Sequence, residues 1–245
     1  MRVPYKEIGA VLFLFGTWHL AASIAASPIV PLPHVVFINF VSQDPPMLFR
    51  HFLVSLLRIL YSLAIALAVG IPLGILFGRV RVLDELTSPL IYLIYPVPKI
   101  VFLPIIIMIL GLGNLSKVFI ICLIVFFQIL VTTKDAVKAI GEEEVLSVKS
   151  MGGKGADILR YVILPSILPN IFTALRIAIG TCIAVLFFTE SFATEVGLGY
   201  LIIDAWSKFD YVLMYDAIIL MGTLGLVLYV VLARIEQRMC RWMFQ

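Results

Sequence analysis

The feature that most limits this chain is its series of long apolar runs, Ile8 to Ala26, Phe52 to Phe77, Leu115 to Val131, Ile167 to Phe188 and Tyr211 to Ala233. A run of roughly 20 apolar residues is the length a helix needs to cross the hydrocarbon core of a bilayer, with every backbone polar group satisfied inside the segment. A membrane barrel would instead show short segments of alternating apolar and polar residues. Composition points the same way: 62% of the 245 residues are hydrophobic and 13% charged, and the mean hydropathy is +1.11, beyond the range of soluble domains. The expected fold class is all-α, a polytopic integral membrane protein forming a single transmembrane domain over residues 1–245.

Between Pro89 and Leu110 lies a less regular apolar stretch, broken by Pro96, Pro98 and Pro104, with Lys99 in its middle. Proline removes a backbone donor and bends a helix, so this stretch reads as a kinked or unwound span, which brings the expected number to six. The first run ends in Ser23-Ile24-Ala25-Ala26-Ser27-Pro28, which resembles a signal-peptidase site. Its length exceeds that of an ordinary signal h-region and the sequence begins at Met1, so a retained first span is predicted. Ser27 to Arg50, rich in proline, reads as an outer loop whose Val35 to Val41 portion lies along the membrane surface. Thr189 to Asp210 is a second outer segment, with a turn at Gly197 to Tyr200. With six spans, Arg2, Lys6, Arg79, Arg81, Lys134, Lys138, Lys149, Lys154, Arg160, Arg234, Arg238 and Arg241 fall on one side, and Arg50, Lys117 and Lys208 on the other. The positive-inside rule then assigns both termini to the cytoplasm.

Thr132 to Pro169 is the longest charge-bearing interruption, carrying Lys134, Asp135, Lys138, Glu142, Glu143, Glu144, Lys149, Lys154, Asp157 and Arg160. Mixed charge at this density belongs in water or against another protein. Glu142 to Met151 is predicted helical, with acids in the first turn that suit the positive end of the helix dipole, and Gly152-Gly153 ends it. Asp157 to Ile163 adds a turn or two. Pro165 and Pro169 then mark the return into the fifth span, where proline is tolerated in a first turn.

These residues carry a resemblance. Gly152, followed ten residues on by Val162-Ile163-Leu164-Pro165, resembles the signature loop of inner-membrane permease subunits of binding-protein-dependent ABC importers, in which Gly is followed by Ile-x-Leu-Pro. The chain departs from the pattern where Glu-Ala-Ala is expected: it has Leu146-Ser147-Val148, and the nearest acid is Glu144. From His51 to Ala205 the resemblance extends to the branch serving nitrate, taurine and alkanesulfonate uptake, through Ser55-Leu56-Leu57-Arg58, Gly70-Ile71-Pro72-Leu73-Gly74, Tyr95-Pro96-Val97-Pro98, Leu103-Pro104, Gly111-Leu112-Gly113, Leu175-Arg176, and Glu190 before Gly197-Leu198-Gly199. It implies a permease core of about residues 51–233 and a cytoplasmic coupling helix between the fourth and fifth spans, within a loop over 132–169. It also implies a multi-pass bacterial inner-membrane subunit that pairs with a second copy of itself, two ABC ATPase subunits and an external or periplasmic solute-binding protein. ATP and magnesium would be bound by the ATPase, with no cofactor on this chain, membrane lipid around it and no nucleic acid involved. The residues expected to couple to the ATPase are Glu144, Ser147, Met151, Gly152, Gly153, Leu164 and Pro165.

Other residues are candidates for chemistry. Lys99 and Arg176 are candidate pathway residues or partners in structural pairs, since an unpaired charge at membrane depth costs several kcal/mol. Glu190 is expected to pair with a basic residue, or else to meet substrate. Arg58 is expected to snorkel to the headgroups, and Gly70 and Gly74 form a small-xxx-small pair suited to close helix packing. Taking Arg58, Lys99 and Arg176 as the charges of the spans, the pathway favours an anion such as a sulfonate, taurine or nitrate. Neutralisation by Glu190 and nearby acids leaves a neutral or cationic vitamin precursor as the alternative. Cys122, Cys182 and Cys240 are scattered and read as small buried hydrophobes, and His19, His34 and His51 show no ligand spacing. No Gly-x-x-x-x-Gly-Lys-Ser/Thr occurs, so ATP hydrolysis by this chain is not expected, nor is an intramembrane enzyme. An ion-coupled secondary carrier is a further alternative, which would need coupling-ion sites at broken helices.

Overall fold

The computed structural model describes the backbone of residues 5–192 and 194–243 and side chains from Ile8 onward. Arg2, one of the basic residues counted above, lies outside the described residues. Among the described residues there is helix and no strand: α1 (Tyr5–Ala25), α2 (Pro33–Ser42), α3 (Pro45–Arg79), α4 (Arg81–Ile94), α5 (Leu103–Leu110), α6 (Asn114–Lys138), α7 (Glu142–Ser150), α8 (Gly155–Ile158), α9 (Leu164–Ser191), α10 (Leu198–Ser207) and α11 (Tyr211–Met239). Five helical segments of the described chain are long and apolar enough to cross a membrane, and the bent pair formed by α4 and the Lys99–Leu110 segment makes a sixth if it is one span.

The apolar runs appear as α1, α3, α6, α9 and α11, several of them longer than the runs themselves. The outer segment before the second span is correspondingly shorter, because Pro45 and Pro46 open α3 instead of lying in a loop. Proline has no N–H to satisfy in a first helical turn and its φ is already helical, so it starts a helix as readily as it breaks one. The third apolar stretch is bent by 78° between α4 and the 3-10 turn Lys99–Phe102. Pro96 and Pro98 fall in this break, and Pro104 opens α5. The entry to the fifth span differs from expectation: α8, a π-helical turn at Leu159–Ile163 and α9 run on as one helical segment, Gly155–Ser191, with Pro165 and Pro169 inside it. Pro165 cannot donate to Tyr161, four residues earlier, and the widened π turn is the usual local adjustment where that register fails.

The chain forms two compact units, one from residues 1–55 and 190–223, the other from 56–189 and 224–245. In the second, α3 packs on α6 through glycines. A Cβ at Gly70 would lie 3.1 Å from Ile129, one at Gly74 2.6 Å from Thr133, and one at Gly78 2.8 Å from both Val137 and the carbonyl of Lys134. The small-xxx-small pair expected at Gly70 and Gly74 therefore extends a turn further, to Gly78, and lets the two backbones approach. At the other end of the same contact, Arg58 meets Asn114 and the Ser62 hydroxyl lies 3.0 Å from the carbonyl of Val118. Partners on the two helices advance together, 58 with 114, 62 with 118, 70 with 129, 74 with 133 and 78 with 137, so α3 and α6 run parallel. Two spans can be parallel only if the chain between them crosses the membrane once, which makes the bent α4–α5 pair a broken span and not a re-entrant loop. By the same reasoning α9 and α11 run antiparallel, since Arg176 meets Glu236 while Ile183 packs on Gly225.

Candidate functional site

The polar interruption folds as expected around α7. Glu142, Glu143 and Glu144 stand in its first turn, opposite the helix dipole, and Lys149 in its last. Gly152 takes φ +83, its N–H donates to the Lys149 carbonyl at 2.9 Å, and the Gly153 N–H donates to Val148 at 3.0 Å. This pair of bonds is the Schellman stop, which satisfies two otherwise orphaned carbonyls. The two glycines serve different ends. Gly152 supplies the left-handed φ, whereas a Cβ at Gly153 would sit 2.5 Å from Val148 Cγ1. Beyond them, Asp157 Oδ2 accepts from the Lys154 N–H at 2.8 Å and starts α8.

Of the residues expected to couple, Glu144, Ser147, Met151, Gly152 and Leu164 are exposed, and Gly153 and Pro165 are half-buried. Val145 is the side chain of α7 that packs inward. Leu146 is 56% exposed and Met151 76%, so the helix offers apolar side chains to its surroundings within a ring of charge. Leu146 stands in the stretch where the sequence lacks Glu-Ala-Ala, and it makes that part of the surface apolar.

The charges of the spans are resolved locally. Arg176 pairs with Glu236 of α11, and its guanidinium lies 6.0 Å from the Tyr229 ring; this is the partner carboxylate that a charge at its depth requires. Lys99 donates to the Tyr95 carbonyl and sits 5.0 Å from the ring of Phe127 and 5.1 Å from that of Tyr95. Arg58 departs from the snorkelling expectation: it is 5% exposed, with Nε and Nη2 donating to Asn114 Oδ1 at 2.9 and 2.6 Å. A side-chain amide one helix away satisfies the guanidinium inside the protein, so it need not reach the headgroups.

The set Arg58, Lys99 and Arg176 is also incomplete. Lys117 in α6 is fully buried, its ammonium on the carbonyls of Leu112 and Gly113. Asp216 in α11 is fully buried as well, and accepts from Asn39 Nδ2 at 2.6 Å. A third feature not foreseen is a cluster where α4 meets α6. Asp84 receives Lys138 at 2.7 Å and Lys134 at 3.3 Å, Ser88 bridges Asp84 and Lys134, and Lys134 lies over the Tyr92 ring. Its signal in the sequence was the i,i+4 spacing of Asp84 with Ser88 and of Lys134 with Lys138, which only packing brings together.

In the other unit, Glu190 is 1% exposed. Its carboxylate accepts from the Ser55 hydroxyl at 2.8 and 2.9 Å and from the Gly199 N–H at 2.8 Å, at the start of α10. The Ser55 hydroxyl oxygen in turn accepts the Leu198 N–H at 2.9 Å. His51 Nδ1 lies 2.9 Å from the Gly197 carbonyl, and its ring stacks on Tyr200. The acid and the serine thus hold the N-terminus of α10, where a negative charge is favoured. Gly197 is needed twice over: it has φ +142, and a Cβ there would come 2.4 Å from the Glu190 carboxyl carbon. At the far end of α10, Trp206 and Phe209 are exposed, and the hydrogen bond from Lys208 to Asp204 at 2.7 Å raises the lysine's pKa.

Residues 70–241, which hold the glycine seam, α7 with its glycine stop and the Arg176–Glu236 pair, match the family described as the inner membrane component of binding-protein-dependent transport systems. The chain belongs to this family. A Methanocaldococcus jannaschii protein described as an ABC transporter permease is 33% identical over 92% of this chain and 87% of its own length. The taurine transport system permease protein TauC of Escherichia coli is 29% identical over 96% of this chain and 89% of its own. A chain of the MetNI methionine ABC transporter, in an inward-facing conformation, superposes with a TM-score of 0.67 over 80% of this chain and 99% of its own, at 19% identity, and so shares the fold. This permease of the binding-protein-dependent family is therefore a transport component with membrane-spanning helices, as the signature loop implied.

Proposed function

We propose that this permease is the membrane subunit of an ABC importer for a small organic anion of the sulfonate or taurine type. The observation that carries the proposal is α7: a short helix closed by a glycine stop, with Leu146 and Met151 exposed amid charge. Such a helix suits docking in a groove of a separate ATPase. Glu144, Ser147, Met151, Gly152, Gly153, Leu164 and Pro165 form or support that contact, and ATP and magnesium are held by the partner, since this chain has no phosphate-binding loop of its own. Two ATPases, a second copy of the permease and an external binding protein complete the assembly. The basic side is cytoplasmic, with both termini and α7 on it. The docked binding protein then delivers solute at the outer segment around α10, and Lys99, Arg176 and Glu190 border the route. Taurine is the solute named for a relative that spans nearly the whole chain, and a guanidinium's planar fork of donors matches a sulfonate.

One observation favours a second reading of the solute. Arg176 is already paired with Glu236, so its charge is largely spent within the protein and a neutral or cationic heterocycle would meet no strong field. Uptake into vesicles containing the permease with its ATPase, supplied with the cognate binding protein, distinguishes the two. ATP-dependent accumulation of a sulfonate, competed by other sulfonates, is expected. Capture and uptake of only a neutral or cationic compound would overturn the anion assignment, and uptake without the ATPase would overturn the ABC reading.

A further inference from the structure

Away from α7, α1, α2 and the first turns of α11 border an open pocket of about 260 Å³ whose walls include Phe15, Trp18, Val36, Phe37, Asp216 and Leu220. These walls are mostly apolar, yet they contain two buried polar atoms of opposite kind, and neither has a hydrogen-bond partner among the described residues. Asp216 Oδ1 lacks a donor, although Asn39 serves Oδ2, and Trp18 Nε1 lacks an acceptor, although its ring stacks on Tyr215 at 5.6 Å. A carboxylate oxygen left alone at membrane depth is costly, and natural structures rarely leave one so. A ligand that satisfies both atoms must present a donor and an acceptor. Beside this cavity lies a larger one of about 540 Å³ that shares Phe40, Leu220 and Thr223 with it and is otherwise walled by Val41, Pro45, Leu48, Phe49 and Phe52. Asp216 stands five residues into α11, about 8 Å from its start at 1.5 Å per residue. In a span that starts at the membrane surface, that is the depth at which headgroups give way to acyl chains, and where tryptophan and tyrosine gather.

We infer that the two cavities form one binding site for a phospholipid whose headgroup carries a primary ammonium. The ammonium donates to Asp216 Oδ1 beside the Trp18 and Phe15 rings, whose faces also attract a cation. A phosphate oxygen accepts from Trp18 Nε1, and an acyl chain fills the larger cavity. Oδ1 is covered by neighbouring side chains, so the headgroup reaches it through a rotamer change at the wall. A free amine would leave the apolar cavity unused, and an anionic headgroup such as glycerol phosphate would bring only neutral hydroxyl donors and a like charge to the Asp216 carboxylate. Charge complementarity and the joined apolar cavity together select the lipid.

The test uses the full chain in its transporter complex, placed in lipid discs of phosphatidylethanolamine, phosphatidylcholine or phosphatidylglycerol, and counts retained lipid by native mass spectrometry after a detergent wash. Phosphatidylethanolamine is expected to be retained about tenfold more strongly than phosphatidylglycerol, the scale of one charge-assisted hydrogen bond. Phosphatidylcholine, which keeps the charge but has no N–H, should fall between them. Asp216→Asn should remove most of the preference, and Trp18→Phe, which keeps an aromatic ring but drops the N–H together with the five-membered ring that carries it, should reduce it several-fold. Equal retention of the three lipids would overturn the inference, as would retention unchanged in Trp18→Phe; the latter would mean that a buried water satisfies the two polar atoms. If Asp216→Asn fails to fold, the comparison of lipids on the unaltered chain and on Trp18→Phe decides the matter.

Discussion

Gly197 and Glu190 show how far a single residue can carry structure here. The glycine's φ of +142 is one that side chains rarely adopt, and the Glu190 carboxylate occupies the space a Cβ would need. Gly197→Ala should therefore cost about 3 kcal/mol or more and displace the start of α10. The check is thermal unfolding of the detergent-solubilised permease, expected to show a clear drop in midpoint, while an unchanged midpoint would contradict this account of the turn. Arg176 makes a different argument. Its guanidinium is partly exposed, with a side-chain accessibility of 39% against 12% for Glu236, so removing one partner should cost about 1–2 kcal/mol, less than in a fully buried pair. If pairing is its main role, Arg176→Gln and Glu236→Gln should each lower stability and uptake, and the double substitution should recover much of both. If Arg176 instead meets the anion, uptake stays low in the double variant while stability recovers.

At the scale of the element, α7 owes its form to its ends more than to its middle. Three glutamates favour its start, and the glycine stop frees the chain to turn away. Replacing Gly152 by valine puts a β-branched residue at φ +83, in open space, so the strain falls on the turn and not on the packing. ATP hydrolysis should then become largely independent of solute, and uptake should fall severalfold, with the spans intact by circular dichroism. Uptake equal to that of the unaltered permease would show that the direction of this turn does not matter for coupling. The broken third span makes a related point. Its 78° bend lies where two prolines stand, with residues 95–98 exposed and Lys99 over the rings of Tyr95 and Phe127 just beyond them.

For the whole molecule, the parallel seam of α3 and α6 requires an odd number of crossings between them, and the distribution of basic residues predicts the direction. Cysteines introduced at Lys149 and Arg238 should react with impermeant reagents only from the cytoplasmic side, and one at Lys208 only from outside. Reaction of the first two from outside would invert the topology. Cross-linking in native membranes should give a two-copy species, and full uptake by a monomer would refute the pairing.

Span number, the bend at the third span, the glycine-stopped helix and the family itself were legible in the residues, because each rests on local chemistry. Apolar length, proline without an N–H and glycine at a left-handed φ act within a few residues and need no distant partner. What the sequence could not show is which charges meet. Arg176 finds Glu236 across 60 positions, Arg58 finds Asn114 across 56, and Asn39 meets Asp216 across 177. Each ionised or polar group at membrane depth needs a partner, but composition names only the candidates. The choice among them is made when each pair of helices packs in a particular register, and for α3 on α6 that register depends on Gly70, Gly74 and Gly78 fitting against Ile129, Thr133 and Val137, a fit decided only in three dimensions.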